Sequence, residues 1–106
     1  MNKKYIIRKN EEIQNIINGS KKIIGKFFVI FYSKNSFNHN RFCISVSKKI
    51  GKANVRNLYK RRIKDILIKN DIDNNYDYVI ILRKSILDID YNKIKNELLI
   101  MLKGDK

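Results

Sequence analysis

The segment KFFVIFYS, at residues 26–33, constrains the fold most, because it is apolar on two opposite faces. It is too short for a typical helix and rich in aromatic and β-branched residues, which predicts a buried strand. Successive side chains of a strand point to opposite sides of the sheet. Two large apolar sets would face opposite ways: Phe27, Val29 and Phe31, and Phe28, Ile30 and Tyr32. Since each face needs a cover, the chain must build layers around a central sheet.

Hydrophobic periodicity elsewhere predicts three helices and two or three further strands. The first helix follows Asn10, which can cap it, and ends near Gly19. The later strands are predicted at 41–47 and 78–82, with a further short strand at 22–24. A second helix is predicted at 55–69, and Asp90 caps the last helix. We expect an α+β fold, a two-layer α/β sandwich of order α-β-β-(β)-α-β-α. No repeat, proline or flexible linker divides the sequence, which predicts a single domain over residues 1–106.

The charge of the chain is concentrated in its first part. Residues 1–64 carry 17 basic and two acidic side chains, a net of +15, whereas residues 65–106 carry seven basic and eight acidic ones, a net of −1. No carboxylate occurs from Ile13 through Lys64. A surplus confined to one part of a small domain builds a positive face that attracts a polyanion.

The stretch KKIGKANVRNLYKRRIK, at residues 48–64, holds the densest part of this surplus. Arg56, Lys60 and Lys64 recur at i, i+4 and i+8, so they form one ridge of the predicted helix. Like charges at this spacing disfavour an isolated helix, and phosphates are the natural compensating partner. The candidate RNA-binding residues are Lys48, Lys49, Lys52, Arg56, Asn57, Lys60, Arg61 and Lys64.

A candidate cleft follows from the small side chains of the strand at 41–47. Cys43, Ser45 and Ser47 share one side of that strand. If this side joins the Val29 and Phe31 face beside the first helix, a shallow apolar floor results. An aromatic floor can stack an unpaired base, which is worth roughly 1 to 3 kcal/mol per base.

The segment VSKKIGKANVRNLYKRRIKDIL, at residues 46–67, resembles the signature of the protein subunit of bacterial ribonuclease P. The resemblance extends to EIQ and Gly19 in the first helix, to Phe28 and Val29, and to DYVIILRK at 77–84. It implies an accessory subunit that binds a catalytic RNA and precursor tRNA. In that family the holoenzyme removes the 5′ leader with Mg²⁺ held mainly by the RNA. The resemblance also implies a sandwich like that of ribosomal RNA-binding proteins, with a left-handed crossover.

Carried over position by position, the resemblance implies RNA contacts at the S-K-K and R-N-x-x-K-R motif, namely Lys48, Lys49, Arg56, Asn57, Lys60 and Arg61. It places the 5′ leader at Ile13, Ile17, Val29, Phe31 and Ser45. This sequence departs from the family pattern at several positions. Leu58 replaces an arginine and so loses a charge, and Lys64 stands where arginine is common. Ile13 and Ile17 stand where phenylalanine is frequent, so stacking from the first helix is weakened.

Catalysis by the protein itself is disfavoured by the residue types present. General acid–base or two-metal hydrolysis needs histidine or clustered carboxylates beside the substrate. The single histidine, His39, falls in a polar turn, and Cys43 has no histidine partner along its strand. Asp71, Asp73 and Asp77 form an acidic group that we interpret as a solvated turn. We therefore expect no catalytic residue and no dedicated metal site in the protein.

Two alternatives from other classes remain open at this point. One is a ribosomal or other structural RNA-binding protein without an enzymatic role, and the other is a DNA-binding module that uses the helix at 55–69 in a major groove. The sequence has no apolar run of the roughly 20 residues that a membrane span needs. The single cysteine and the absence of an export signal indicate a reducing, cytoplasmic location.

Overall fold

The computed structural model describes residues 2–19, 21–72 and 75–104 of the chain. Its helices and strands, in chain order, are α1 (Asn10–Gly19), β1 (Lys21–Ile24), β2 (Phe28–Lys34), β3 (Arg41–Ser45), α2 (Ala53–Lys69), β4 (Tyr76–Leu82) and α3 (Tyr91–Lys103). Short 3-10 turns at Lys3–Tyr5 and Lys84–Asp88 precede α1 and α3. The predicted α+β class and element order are confirmed. Across the described ranges, no helix is both long enough and apolar enough to span a bilayer.

The four strands form one sheet in the order β1-β2-β4-β3. β2 pairs antiparallel with both β1 and β4, whereas β3 runs parallel to β4. Parallel neighbours cannot be joined by a tight turn, and the connection between β3 and β4 passes through α2. The last strand of the chain therefore lies between β2 and β3. The left-handed sense of this β3-α2-β4 crossover stays a prediction.

The main core lies between the sheet and the helices α2 and α3. Alternate residues of β2 and β4 point into it, and Phe28, Ile30, Tyr78 and Ile80 are completely buried. The helices contribute side chains at helical spacing, which are Tyr59, Ile63 and Ile66 from α2 and Ile94, Leu98 and Leu102 from α3. Asp90 caps α3 as predicted, because its side chain accepts a hydrogen bond from the Lys93 backbone N–H at 2.9 Å. These two layers form the predicted sandwich.

The opposite face of the sheet is only partly covered, and α1 supplies the cover. Ile16 of α1 packs on Val79 of β4 together with Ile7 from the N-terminal segment, and all three are buried. Around them, Ile13, Ile17, Phe31, Cys43 and Ile81 are half-buried. Both faces of β2 are covered, as its composition requires, but the second cover leaves part of the face accessible.

Two local predictions are wrong. Asn10 does not cap α1, because the helix already includes it and the Ile13 N–H donates to the Lys9 carbonyl at 3.1 Å. Phe27 does not share a face with Val29 and Phe31, because β2 begins one residue later and Phe27 turns into the main core, where it is 7% exposed. The strand alternation does not extend across that bend.

Candidate nucleic-acid interface

The eight candidate RNA-binding residues, here called the basic patch, lie along α2 as far as Lys64 and on the segment that leads into the helix. Tyr59, Ile63 and Ile66 anchor the other side of the helix in the core, which turns the basic side outward. Five members are exposed, namely Lys48, Lys49, Lys52, Asn57 and Arg61, and three are half-buried, namely Arg56, Lys60 and Lys64. The fold brings together all eight residues that the sequence predicts.

Protein carboxylates do not neutralise the basic patch within the described ranges. The four ion pairs found there join Arg41 to Glu12 and Asp77, Lys69 to Asp65, and Lys93 to Glu97. None of them involves a member of the basic patch. Arg56 is half-buried, and its Nε atom is buried without a hydrogen bond to the described part of the chain. Because a buried unpaired donor costs free energy, a shift of this side chain toward an external phosphate would be favourable.

The N-terminus of α2 adds to this electrostatic imbalance. Lys52 occupies the N-cap position without any capping hydrogen bond from its side chain, and the first turn holds no acidic residue. The first backbone N–H groups of a helix carry partial positive charge, which favours an anion and disfavours a lysine. Lys48 and Lys49 lie just before this end. The helix start and the lysines therefore favour the same kind of partner, a phosphate.

The predicted cleft lies on the partly covered face of the sheet. In the register of the sheet, Val29, Ile81 and Ser45 form one row across β2, β4 and β3. Phe31, Val79 and Cys43 form the next row. Val29 and Ile81 are half-buried and Ser45 is exposed. The row of Val29, Ile81 and Ser45 is therefore the accessible part of the cleft floor.

The wall of the cleft comes from α1. Ile13 and Ile17 pack against the cluster that includes Phe31, and both stay partly accessible. The five predicted cleft residues, Ile13, Ile17, Val29, Phe31 and Ser45, therefore share one face of the sheet. Sequence reasoning missed Val79 and Ile81, because it could not tell that β4 inserts between β2 and β3.

The basic patch and the cleft meet around the outer edge of β3. The N-terminal segment pairs with that edge, since the Ile7 N–H donates to the Phe42 carbonyl at 2.9 Å. Lys60 and Lys64 line a small cavity of about 180 Å³ between this segment and β3. Burial raises the pKa of the Cys43 thiol, and the charge of Lys60 opposes that rise. Lys60 of α2 is therefore close to Cys43 on the cleft face, so the two candidate sites are neighbours.

Arg41 connects the cleft wall to the sheet, a role that the sequence did not reveal. Its Nη2 atom lies 2.8 Å from Glu12 Oε2 on α1 and 2.7 Å from Asp77 Oδ2 on β4. These carboxylates raise the pKa of the guanidinium, with the hydrogen bond to Asp77 the largest cause. Asn35 also donates to Asp77 Oδ1 at 2.8 Å. Although it is basic, Arg41 is therefore engaged inside the protein and does not extend the basic patch.

The interpretation of Asp71, Asp73 and Asp77 as a solvated turn needs correction. Asp77 is 6% exposed and lies on β4, where it pairs with Arg41. Asp71 is exposed, and Asp73 lies outside the described residues. The structured ranges contain no group of three or more His, Cys, Asp or Glu residues that could hold a metal ion.

Comparison with known proteins agrees with this geometry. The family model described as Ribonuclease P matches residues 1–104. The ribonuclease P protein component of Mycoplasma capricolum is 41% identical, and the alignment covers the whole of both chains. The solved structure of the RNase P protein from Thermotoga maritima has a TM-score of 0.87 at 29% identity, covering 94% of this chain and 96% of that one.

The RNase P protein from Staphylococcus aureus gives a TM-score of 0.82 at 30% identity, covering 94% of this chain and 98% of that one. These matches give no support to the alternative of a ribosomal or other structural RNA-binding protein. The full-length match to the family model and the identity to its members lead to one conclusion. The chain belongs to the ribonuclease P protein family, as an accessory protein subunit of the endoribonuclease that processes tRNA.

Proposed function

We propose that this subunit holds the catalytic RNA of ribonuclease P and the 5′ leader of precursor tRNA at the same time. The basic patch contacts RNA phosphates, and the cleft receives the single-stranded leader. Because Lys60 and Lys64 lie against β3, the strand that supplies Ser45 to the cleft, the two RNAs are held on adjacent parts of the protein. The protein thereby fixes the leader relative to the ribozyme, while the RNA carries the chemistry.

The unneutralised charge of the basic patch carries this proposal, because none of the ion pairs in the described ranges involves one of its members. A guanidinium can bind a phosphate through two parallel hydrogen bonds, and such charge-assisted bonds are the strongest that side chains make. Neighbouring lysines supply further positive charge without competing carboxylates. An RNA backbone supplies phosphates at regular intervals, so it can satisfy the whole patch at once.

The floor of the cleft suits unpaired nucleotides rather than a duplex. Val29, Phe31 and Ile81 offer apolar surface, and Ser45 offers a hydroxyl at the rim. Bases of a single strand can stack on such a surface, whereas the bases of a duplex are already stacked on one another. The substrate part that fits is therefore the leader, which lacks a pairing partner.

We further propose that Mg²⁺ is held mainly by the RNA and the substrate in a cytoplasmic complex. The basic patch offers ammonium, guanidinium and amide groups, and hard cations prefer oxygen ligands such as carboxylates. The nearest carboxylates on the cleft side, Glu12 and Asp77, are bound to Arg41. When bound, Mg²⁺ supplies activation of water and stabilisation of charge, and the protein residues position the phosphates around it.

Reconstitution tests the proposed function directly. The chain is combined with ribonuclease P RNA and precursor tRNA, and removal of the leader is followed as the Mg²⁺ concentration is lowered. The expected result is cleavage at Mg²⁺ concentrations at which the RNA alone is inactive. The same cleavage with and without protein at every Mg²⁺ concentration would contradict the proposal.

The substitution Phe31→Ala tests the leader cleft. We expect it to weaken binding of precursor tRNA by about 1 to 3 kcal/mol, the value of one base stacked on an aromatic ring. Binding of mature tRNA, which lacks the leader, should stay nearly unchanged. The measurement is the ratio of the two dissociation constants for reconstituted holoenzyme.

Phe31→Leu is the matched control for folding, because it keeps the apolar cluster around Ile13 and Ile17 filled while it removes the ring. Circular dichroism should show both variants folded. An equal loss of affinity for precursor and mature tRNA would contradict the assignment of the leader to the cleft.

A further inference from the structure

A cavity of about 540 Å³ lies at the C-terminal end of α2. Its walls come from the N-terminal 3-10 turn, the segment before β3 and the C-terminal end of α2, and none of its lining residues belongs to the basic patch or the cleft. Pockets of roughly 300 to 1,000 Å³ are typical for small ligands or ligand groups. The proposed function leaves this cavity without a role.

The cavity combines an apolar floor with an aromatic rim. Phe42, Leu67 and Ile72 line it from below. Tyr5 and His39 form part of the rim, with ring centroids 5.0 Å apart in an edge-on arrangement. His39 in turn stacks on Phe37, which lies outside the cavity lining, with ring centroids 5.5 Å apart and an interplanar angle of 26°. The half-buried rings of Tyr5 and His39 offer a platform for another flat ring.

Polar atoms without partners surround this apolar floor. Asn38 and Asp71 line the cavity, and their side chains make no hydrogen bond to any described residue. Asn70 uses only its amide nitrogen, which donates to the Ile66 carbonyl at 2.8 Å, so its oxygen is available. Amide and carboxylate groups of this kind pair with the edges of nucleobases. Asp71 also disfavours a phosphate inside the cavity.

The cationic groups stand at the rim rather than inside. The Lys4 ammonium lies 5.0 Å from the centre of the Tyr5 ring, and the Arg41 guanidinium lies 4.6 Å from the centre of the Phe37 ring. Arg41 is already paired with carboxylates, so Lys4 is the cation that can meet a phosphate next to the cavity. A nucleotide with its base inside the cavity and its phosphate at the rim would match this distribution of charge.

We propose that this cavity binds an unpaired nucleobase, with preference for bases that carry an exocyclic amino group. The base enters between the aromatic rim and the apolar floor, and its amino group donates to the Asp71 carboxylate or the Asn70 oxygen. This inference does not rest on the proposed function of the basic patch or the cleft. The same base can belong to a free nucleotide or to a single-stranded stretch of RNA.

His39 provides a direct test, because it is the only histidine of the chain and its ring signals in an NMR spectrum need no assignment by mutation. The full-length protein is titrated with adenosine 5′-monophosphate, and ribose 5-phosphate serves as the probe without a base. We expect an upfield ring-current shift of the His39 signals with adenosine 5′-monophosphate and roughly millimolar affinity. Uridine 5′-monophosphate, which has no amino group, should bind more weakly.

A second comparison distinguishes the two sources of the base. If the natural ligand is single-stranded RNA, a short unstructured adenosine-containing oligonucleotide should shift the His39 signals at a lower concentration than the mononucleotide does. If it is a free nucleotide, the two probes should act at equal concentrations of base. Equal shifts with ribose 5-phosphate and adenosine 5′-monophosphate, or no shift with either, would overturn the proposal.

The variant Tyr5→Ala should lower the affinity for adenosine 5′-monophosphate by about 5-fold or more, the loss expected for one stacking partner. Leu87→Ala is the control, since Leu87 is a large side chain at the surface and does not line the cavity, whereas Tyr5 does. The control should keep the affinity of the unsubstituted protein. The same loss in both variants would also count against the proposed site.

Discussion

The double variant Arg56→Ala, Lys60→Ala is expected to bind ribonuclease P RNA and precursor tRNA about 100-fold more weakly than the unsubstituted protein. A hydrogen bond to a charged group is worth about 1.5 kcal/mol or more, and the variant loses two such contacts. Arg56 should contribute the larger part, since a guanidinium can bind a phosphate through two hydrogen bonds, whereas a lysine ammonium acts as a point charge. The measurement is equilibrium binding at several concentrations of monovalent salt and constant Mg²⁺.

The dependence on salt makes this prediction specific. Each phosphate contact on a single strand contributes roughly 0.7 to the slope of log K against log salt, so losing two should flatten the slope by about 1.4. The matched control is Lys95→Ala, Lys103→Ala, which removes two lysines from α3 outside both candidate sites. Its slope should change little. Unchanged binding and unchanged cleavage at low Mg²⁺ in the Arg56 and Lys60 variant would contradict the assigned roles.

The substitution Asp77→Ala is expected to lower the free energy of unfolding by about 3 to 5 kcal/mol. The Asp77 side chain is 9% exposed and that of Arg41 is 15% exposed, so removal of the carboxylate leaves a guanidinium largely buried with Glu12 alone. Small domains have a total stability of roughly 5 to 15 kcal/mol, so the variant would lose a large share of its stability. Urea denaturation followed by circular dichroism measures the loss.

Asp88→Ala is the control for net charge, because it removes an equivalent carboxylate from an exposed position. It should change the stability by no more than about 0.5 kcal/mol, as most surface substitutions do. If both variants lost the same small amount, the Arg41 network would have no special role in stability. Added RNA should partly restore the folded state of Asp77→Ala, since a ligand that binds only the folded form stabilises it.

The sequence alone predicted the element types and a polyanionic partner. Apolar residues at spacings of two and of three to four place strands and helices almost where the structure has them, because burial of one face is a local requirement. The absence of carboxylates from Ile13 through Lys64 predicted a positive surface, and the basic patch forms it. The motif at 46–67 also indicated the family that the comparisons show.

Only the tertiary structure decided which strands are neighbours and which charges are already used. Insertion of β4 between β2 and β3 places Ile81 beside Val29 and Ser45, and no local pattern contains that information. Arg41 and Asp77 look like surface residues in the sequence, yet they pair across 36 positions. The physical reason is that pairing between distant segments depends on where the whole chain buries its apolar faces, and this is settled only when the layers pack.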